Sequence, residues 1–172
     1  CLPKDLRALT YRAKELDVPL PVLEALLPSN AVHVECAMDL IREKGMRKVG
    51  LLGLSFKAGT DDLRESPLVT LAEKLIGKGY DLRVYDPLVN LDRLVGANKT
   101  YILREIPHIS RLMAPSAGAL LDFAEVVVIG NTSRELKVLE THKFTPGQVV
   151  IDLAGLLKGK APPGLEYHGV CW

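Results

Sequence analysis

Two clusters of residues in this sequence could carry out chemistry, and the first lies at its start. Cys1 is followed by a proline that can occupy the first turn of a helix, and Asp5 comes one turn later. The partial positive charge at a helix N-terminus favours the thiolate form of a nearby cysteine. The carboxylate of Asp5 could act as a base or orient a water molecule. A structural cysteine beside a helix start explains the same spacing, and the spacing alone favours it.

The second cluster is the charged loop, residues 57–65, which follows an apolar run. The run Val49–Leu54 predicts a buried strand, and Ser66-Pro67 supplies an N-cap and a first-turn proline for a helix. Lys57 and Arg64 could bind phosphate, sugar or carboxylate oxygens, and Arg64 offers a planar fork for this purpose. On composition alone, a solvated loop that leads into a capped helix explains these charges better.

Glycine and acidic residues near this loop are weaker indications of a binding site. Gly50 and Gly53 match a dinucleotide-binding fingerprint poorly, because its third glycine is missing, and a tight turn after a strand explains them equally well. Asp86 ends another apolar run, where dinucleotide-binding folds often keep an acidic partner for ribose, but the following proline favours a plain turn. Asp61 and Asp62 are expected to pair with basic neighbours or to hold loop amides in place.

Helices precede the first strand, and residues 1–46 form a predicted helical segment. Apolar residues recur at helical spacing from Leu6 to Leu16, and prolines at 19 and 21 then break the pattern. Pro28-Ser29-Asn30 predicts the start of a second helix that ends near Gly45. His33 and Cys36 are three residues apart on it, but without other ligands nearby a packed interior or an interface is favoured over a metal site.

From residue 47 to residue 172 the pattern predicts an α/β domain with a Rossmann-like, doubly wound parallel sheet. Continuous apolar runs alternate with helical segments, which is typical of a parallel sheet covered on both faces. Ligands of such sheets bind beyond the carboxyl ends of the strands, where the charged loop lies. The predicted strands are Val49–Leu54, Leu82–Tyr85, Val126–Ile129 and Val149–Leu153, with a short strand near Thr100–Leu103 and an edge strand at Tyr167–Cys171. The predicted helices are Leu68–Lys78, a segment within Leu112–Phe123, and Arg134–Lys143.

Length, charge and cysteine content exclude several classes of protein. The 172 residues suffice for one domain plus an extra element, and the net charge of +1 argues against nucleic-acid or acidic-membrane partners. No apolar run approaches the roughly 20 residues of a membrane span. Three cysteines without a CxxC pair argue against a disulfide framework and fit the cytoplasm. The chain begins with cysteine rather than methionine, so we expect it to be part of a longer protein.

Together the two clusters resemble the UDP-glucose/GDP-mannose dehydrogenase family. GLSFKAGTDDLRESP, residues 53–67, is similar at nearly every position to the family signature GLxFKxxTDDxRxSP. CLPKD, residues 1–5, is similar to the motif around the family's cysteine. The spacing of about 55 residues between the two, bridged by a long helix, also matches.

The resemblance implies an activity and assigns roles to named residues. The family oxidises the C6 alcohol of a nucleotide sugar to a carboxylate with two NAD⁺. By resemblance Cys1 is the nucleophile, whose thiolate adds to the aldehyde to give a thiohemiacetal and, after a second oxidation, a thioester. Asp5 matches the aspartate implicated in activating water for hydrolysis. Lys57 matches the lysine that contacts the nucleotide sugar, Phe56 its neighbour in the substrate loop, and Arg64 the arginine that reaches NAD.

The resemblance also implies partners. The central helix, roughly residues 30–45, would form part of a homodimer contact, and the family's N-terminal Rossmann domain would lie outside this chain. That domain carries the true GxGxxG, and the lysine and asparagine that complete the active site also lie outside the chain, so we expect no turnover by these 172 residues alone.

Three alternatives remain beside this interpretation. The segment GNTSRELK, residues 130–137, differs from the TEW-type run of UDP-glucose enzymes and favours GDP-mannose as substrate. The resemblance then implies a role in alginate biosynthesis. UDP-glucose or a UDP-N-acetyl-sugar is the first alternative. A non-catalytic nucleotide-binding or dimerisation module is the second, and an unrelated Rossmann-like cofactor domain is the third.

Overall fold

Five parallel strands form one sheet in the computed structural model of the chain, which describes residues 2–55 and 57–170 except for the side chain of Leu2. The strands are β1 (Lys48–Leu52), β2 (Asp81–Tyr85), β3 (Val126–Ile129), β4 (Val149–Asp152) and β5 (Glu166–Gly169). They are ordered β2–β1–β3–β4–β5, so the chain winds from β1 toward one edge and then returns to its other side. The carboxyl ends of β1 and β3 therefore border the topological switch point of the sheet.

Helices precede the sheet and connect its strands. The helices are α1 (Leu2–Glu15), α2 (Pro21–Glu43), α3 (Pro67–Gly77), α4 (Gly96–Glu105), α5 (Ile109–Leu112) and α6 (Ala117–Phe123), followed by a 3₁₀ helix (Arg134–Glu140). α3 begins as the sequence predicts, because the Ser66 hydroxyl accepts a hydrogen bond from the Leu68 amide at 3.2 Å. Within the described ranges, no helix combines the length and the apolar character needed to cross a membrane.

Burial on both faces explains why the strands are apolar runs. All four residues of β3 are buried. Val126 and Val128 pack with α2, α3 and α4 on one face, whereas Val127 and Ile129 pack with α6 and the 3₁₀ helix on the other. Both faces of the sheet are covered, so the predicted α/β, Rossmann-like fold is confirmed.

A glycine in β1 sets the close approach of one of these helices. A Cβ built on Gly50 would lie 2.4 Å from Leu120 Cδ2 and 2.8 Å from Ala124 Cβ, at α6 and its C-terminal end. Leu120 is itself fully buried and has little room to move. Gly50 is therefore needed for packing, which agrees with the interpretation that its spacing to Gly53 is a matter of geometry.

Two sequence predictions about the elements are wrong. The second helix does not start at Pro28, because α2 runs without a break from Pro21 to Glu43 with Pro28 inside it. Pro28 removes only the amide that would bond the carbonyl of Glu24, and its exposed position leaves that carbonyl open to water. Residues 100–103 form no strand but belong to α4, where Ile102 is buried and Leu103 is exposed.

Candidate functional site

The charged loop lies beyond the carboxyl end of β1, and buried hydrogen bonds hold the chain on both sides of it. The carboxylate of Asp86 accepts hydrogen bonds from the backbone amides of Leu54 at 2.8 Å and Ser55 at 2.9 Å. The hydroxyl of Ser66, at the far end of the loop, donates to the carbonyl of Leu54 at 2.9 Å. Asp86 and Ser66 are buried, so these bonds form in a low dielectric and fix where the loop leaves and re-enters the sheet.

The carboxylate of Asp86 is therefore engaged within the fold rather than open to bind a ribose. Its second oxygen accepts the amide of Leu88 at 3.1 Å, within the turn that Pro87 begins. The sequence favoured this turn over a ribose contact, and the structure agrees with that preference. An aspartate with both oxygens occupied by backbone amides stabilises a loop rather than a ligand.

The switch point between β1 and β3 is filled by an asparagine. Gly53 has a φ of +92°, and a Cβ at this position would lie 2.6 Å from the side chain of Asn131. Asn131 donates to the Ser55 hydroxyl at 3.2 Å and accepts the amide of Ser133 at 3.1 Å. The glycine is needed for its left-handed conformation and for the close approach of Asn131.

Helix α4 holds the middle of the charged loop. The Asn98 side chain accepts the amide of Leu63 at 2.9 Å and donates to the carbonyl of Asp61 at 2.7 Å. Leu63 is fully buried beneath these bonds. Asn98 has no local sequence signal, because its partners lie 35 and 37 residues earlier in the chain.

Arg64 forms a bidentate ion pair with Asp62. Its Nε and Nη2 atoms donate to the two carboxylate oxygens at 2.8 and 2.7 Å, and its amide also donates to Asp62 at 3.1 Å. The hydrogen bond from the guanidinium lowers the pKa of Asp62 from 3.8 to about 2. The expectation that Asp62 pairs with a basic neighbour or holds loop amides is therefore met.

This ion pair predicts a specific pH dependence. The pKa of Asp62 is lower in the folded chain, so its stabilising contribution is present above pH 3.8 and is lost as the pH falls through about 2. Carboxyl ¹³C NMR should show Asp62 titrating near the lower value, and the variant Arg64→Gln should return it toward 3.8. Glu140, which is paired with Lys160 instead, serves as the control and should not respond to Arg64→Gln. An unchanged Asp62 titration in the variant would contradict the assigned cause.

The start of α1 and the charged loop line one pocket. This pocket has a volume of ≈ 540 Å³, and α4 forms its third wall. Its charged side chains are Lys4 from α1, Asp62, Arg64 and Glu65 from the loop, and Arg104 from α4. Arg64 is paired with Asp62 and Arg104 with Glu105, whereas Lys4 forms no salt bridge with any described residue. The ammonium of Lys4 is therefore the cation best placed to bind an anionic ligand.

A larger groove of ≈ 960 Å³ adjoins this pocket. It runs between α2 and α3 to the carboxyl ends of β3, β4 and β5, which contribute Gly130, Leu153 and Val170. Glu65 and Tyr101 belong to the walls of both spaces. Burial and the neighbouring carboxylate of Glu105 raise the pKa of the Tyr101 hydroxyl. Tyr101 and Arg104 were missed in the sequence because the region around them gave no clear periodicity.

The described residues among those singled out in the sequence differ in their position relative to the pocket. Cys1 and Phe56 lie outside the described residues. Asp5 is exposed on α1 and is not among the residues that line either space. Lys57 is exposed at the tip of the loop, where its carbonyl accepts the hydroxyl of Thr60 at 2.8 Å. Of the three described members of the set, only Arg64 lines the pocket.

The histidine and cysteine of α2 are both exposed. The spacing of His33 and Cys36 left open a metal site but favoured a packed interior or an interface, and their exposure excludes the interior. Across residues 2–55 and 57–170, no three His, Cys, Asp or Glu side chains are arranged to hold a metal ion.

Comparison with known proteins identifies the family. Residues 50–159 match the UDP binding domain of the UDP-glucose/GDP-mannose dehydrogenase family, and the chain belongs to this family. GDP-mannose 6-dehydrogenase of Pseudomonas putida is 50% identical over all 172 residues, which span 39% of that protein.

Two solved structures extend the comparison. The ternary complex of GDP-mannose dehydrogenase from Pseudomonas aeruginosa matches with a TM-score of 0.86 at 50% identity, over 100% of this chain and 39% of that one. UDP-glucose dehydrogenase from the archaeon Pyrobaculum islandicum matches with a TM-score of 0.73 at 28% identity, over 100% of this chain and 37% of that one. The homologues are therefore nucleotide-sugar dehydrogenases, and the chain corresponds to well under half of each.

Proposed function

We propose that this chain is the C-terminal part of an NAD-dependent nucleotide-sugar 6-dehydrogenase that oxidises GDP-mannose to GDP-mannuronate. The observation that carries the proposal is the pocket with walls from both motifs. Lys4 of the CLPKD motif and Arg64 of the FKAGTDDLRESP motif lie 60 positions apart in the chain and line the same space. A cysteine at residue 1 and a nucleotide-sugar loop can act on one substrate only if the fold brings these segments together.

The proposed chemistry divides the oxidation of an alcohol to a carboxylate into separate steps. The C6 alcohol first gives up a hydride from carbon and the proton of its hydroxyl, which leaves an aldehyde. The thiolate of Cys1 then adds to the C6 aldehyde carbon, and the aldehyde oxygen takes up a proton to give a thiohemiacetal. Loss of hydride and a proton then leaves a thioester on the sulfur. A water molecule activated by Asp5 hydrolyses this thioester, which releases the carboxylate and regenerates the thiol.

The pocket also suits the cofactor that this chemistry requires. NAD⁺ would accept one hydride in each of the two oxidations. Lys4, Arg64 and Arg104 supply cations that can hold a pyrophosphate, and both arginines would have to share their guanidinium groups, Arg64 with Asp62 and Arg104 with Glu105. Lys57 and Phe56 are proposed to contact the nucleotide sugar, and the exposed ammonium of Lys57 is available for a phosphate.

Assembly with a second copy and with an N-terminal Rossmann domain completes the proposal. Residues 1–46 would form a helical dimerisation segment and residues 47–172 the nucleotide-sugar-binding domain. Large apolar side chains are exposed on α1 and α2, which supports burial of this surface in the longer enzyme. These side chains include Tyr11 on α1 and Val22, Leu26 and Val32 on α2.

The choice of GDP-mannose rests on similarity. Identity is 50% to GDP-mannose 6-dehydrogenase of Pseudomonas putida and 28% to the archaeal UDP-glucose dehydrogenase. UDP-glucose is the second candidate, because residues 50–159 match the UDP binding domain of the family. The role in alginate biosynthesis stays a prediction.

The test uses the longer enzyme with NAD⁺ and three nucleotide sugars. We expect two NADH per GDP-mannose, and a kcat/KM at least about tenfold lower with UDP-glucose or a UDP-N-acetyl-sugar, since a site that hydrogen-bonds guanine leaves polar groups unpaired when uracil takes its place. The absorbance of NADH measures both quantities. A preference for UDP-glucose would overturn the substrate assignment, and an absence of NADH with all three would overturn the dehydrogenase itself.

A further inference from the structure

Glu65 adopts a backbone conformation that its side chain disfavours. Its φ is +54°, in the left-handed region that glycine adopts freely. Asp17, at φ +53°, is the other described non-glycine residue in this region, and it lies in an exposed turn after α1. Aspartate tolerates such turns through local hydrogen bonds, whereas glutamate is not among the favoured residues. Glu65 is therefore held in place by something outside its own backbone preference.

The two carboxylate oxygens of Glu65 have different environments. Oε1 forms an ion pair with Arg7 Nη1 on α1, 58 residues earlier in the chain. Oε2 is buried and has no hydrogen-bond partner among the described residues. The backbone of Glu65 is also hydrogen-bonded to Tyr101 on α4, so the pair with Arg7 is the contact that directs the carboxylate toward α1.

Helix α1 has few other attachments to the molecule. Ala13 is its one buried residue among those described, and Leu9 and Tyr11 are exposed. The other polar contacts of its described side chains stay within the helix, as in the pair of Arg12 with Glu15. Among the described residues, the Arg7–Glu65 pair is therefore the polar side-chain contact that joins α1 to the rest of the chain.

The two neighbours of Glu65 in the chain connect this ion pair to the sheet and to the pocket. The next residue, Ser66, is buried and bonded to the carbonyl of Leu54 just beyond β1. The preceding residue, Arg64, lines the pocket together with Lys4. A clamp at Glu65 thus fixes α1 relative to both the loop and the strand that carries the loop.

We propose that Glu65 is a positioning residue: through Arg7 it sets the start of α1 against the charged loop. Its consequence for catalysis rests on the proposed function, since Cys1 and Asp5 would be aligned by this contact with Lys57 and Arg64. The positioning itself concerns only the 172 residues and can be measured without any reaction.

The first experiment measures hydrogen exchange of the α1 amides in the 172-residue chain. Arg7→Gln and Glu65→Gln should each speed exchange in α1 by about twofold to fivefold, the range expected for an exposed ion pair. The double variant Arg7→Glu with Glu65→Arg should restore slow exchange. Glu35→Gln breaks the Lys74–Glu35 pair between α2 and α3 and serves as the matched control. Unchanged α1 exchange in both single variants would overturn the proposal.

The second experiment separates a positioning role from a stabilising one. Glu65→Gly removes the carboxylate and relieves the left-handed strain, so we expect faster exchange in α1 with a thermal midpoint that is unchanged or higher. A lowered midpoint would show that Glu65 serves overall stability and would overturn the proposal.

In the longer enzyme, Glu65→Gly should lower kcat about threefold to tenfold and leave the KM for the nucleotide sugar within twofold, with partial recovery in the charge-swapped double variant. If the double variant Arg7→Glu with Glu65→Arg restores slow exchange in α1 but kcat does not recover, the proposed alignment of Cys1 is wrong. If the wild type oxidises no nucleotide sugar while the exchange results hold, the proposed function fails and the positioning role stands.

Discussion

Replacing Cys1 by serine in the longer enzyme is expected to reduce the formation of sugar acid by on the order of 10³-fold or more. A serine hydroxyl is almost fully protonated at neutral pH, so it cannot supply the nucleophile that a thiolate provides. The measurement is NADH production with saturating GDP-mannose and NAD⁺, together with analysis of the sugar product.

Cys36→Ser provides the matched control for this prediction. Cys36 is exposed on α2, so its replacement removes a thiol without opening a cavity. Activity should stay within about twofold of the wild type. If Cys1→Ser behaved like Cys36→Ser, the covalent mechanism would be wrong and the non-catalytic module would become the better interpretation.

Replacing Asp86 by alanine is the second large effect, and it acts on stability. Two buried amides, those of Leu54 and Ser55, would lose their acceptor. Leaving both without a partner should lower the free energy of unfolding by about 2–4 kcal/mol. Urea unfolding of the 172-residue chain measures the change, and Lys57 at the tip of the loop should become more mobile.

Two further variants sharpen the Asp86 test. Asp81→Ala changes an exposed aspartate at the start of β2, the strand that Asp86 follows, and should alter stability by less than about 0.5 kcal/mol. Asp86→Asn keeps one carbonyl oxygen but presents an amide to a backbone donor, so its effect should fall between the other two. Wild-type stability in Asp86→Ala would show that this carboxylate does not hold the loop.

The elements that sequence periodicity predicted well are those with one dominant environment. β3 was predicted at its exact bounds, Val126–Ile129, because burial on both faces leaves a short run of β-branched residues with no other role. α3 was predicted because Ser66 and Pro67 give a local signal for its start.

The errors come from residues whose environment is set elsewhere in the chain. Thr100–Leu103 has strand-like side chains, yet it folds as part of α4, where Asn98 bonds the loop at Asp61 and Leu63 and Ile102 enters the core. Pro28 was taken as a helix start because its local preference is strong, but its exposed position in α2 makes the loss of one hydrogen bond tolerable.

The candidate site shows the same division. The residues of the charged loop stood out by charge and by the family signature, and their position beyond β1 followed from the general rule for parallel sheets. The side chains that hold the loop did not stand out. The proline after Asp86 predicts only a turn, and the loop partners of Asn98 and Asn131 lie 35, 37 and 76 positions away. Such pairings depend on the fold and have no signature in one sequence.

Mass spectrometry of the longer enzyme during turnover tests the central claim most directly. The variant Asp5→Asn, which should slow hydrolysis, is mixed with GDP-mannose and NAD⁺, quenched with acid and digested. We predict a GDP-mannuronyl thioester on the peptide that contains Cys1, and an unmodified peptide that contains Cys36. Turnover with an unmodified Cys1, or a sugar adduct on another residue, would contradict the account.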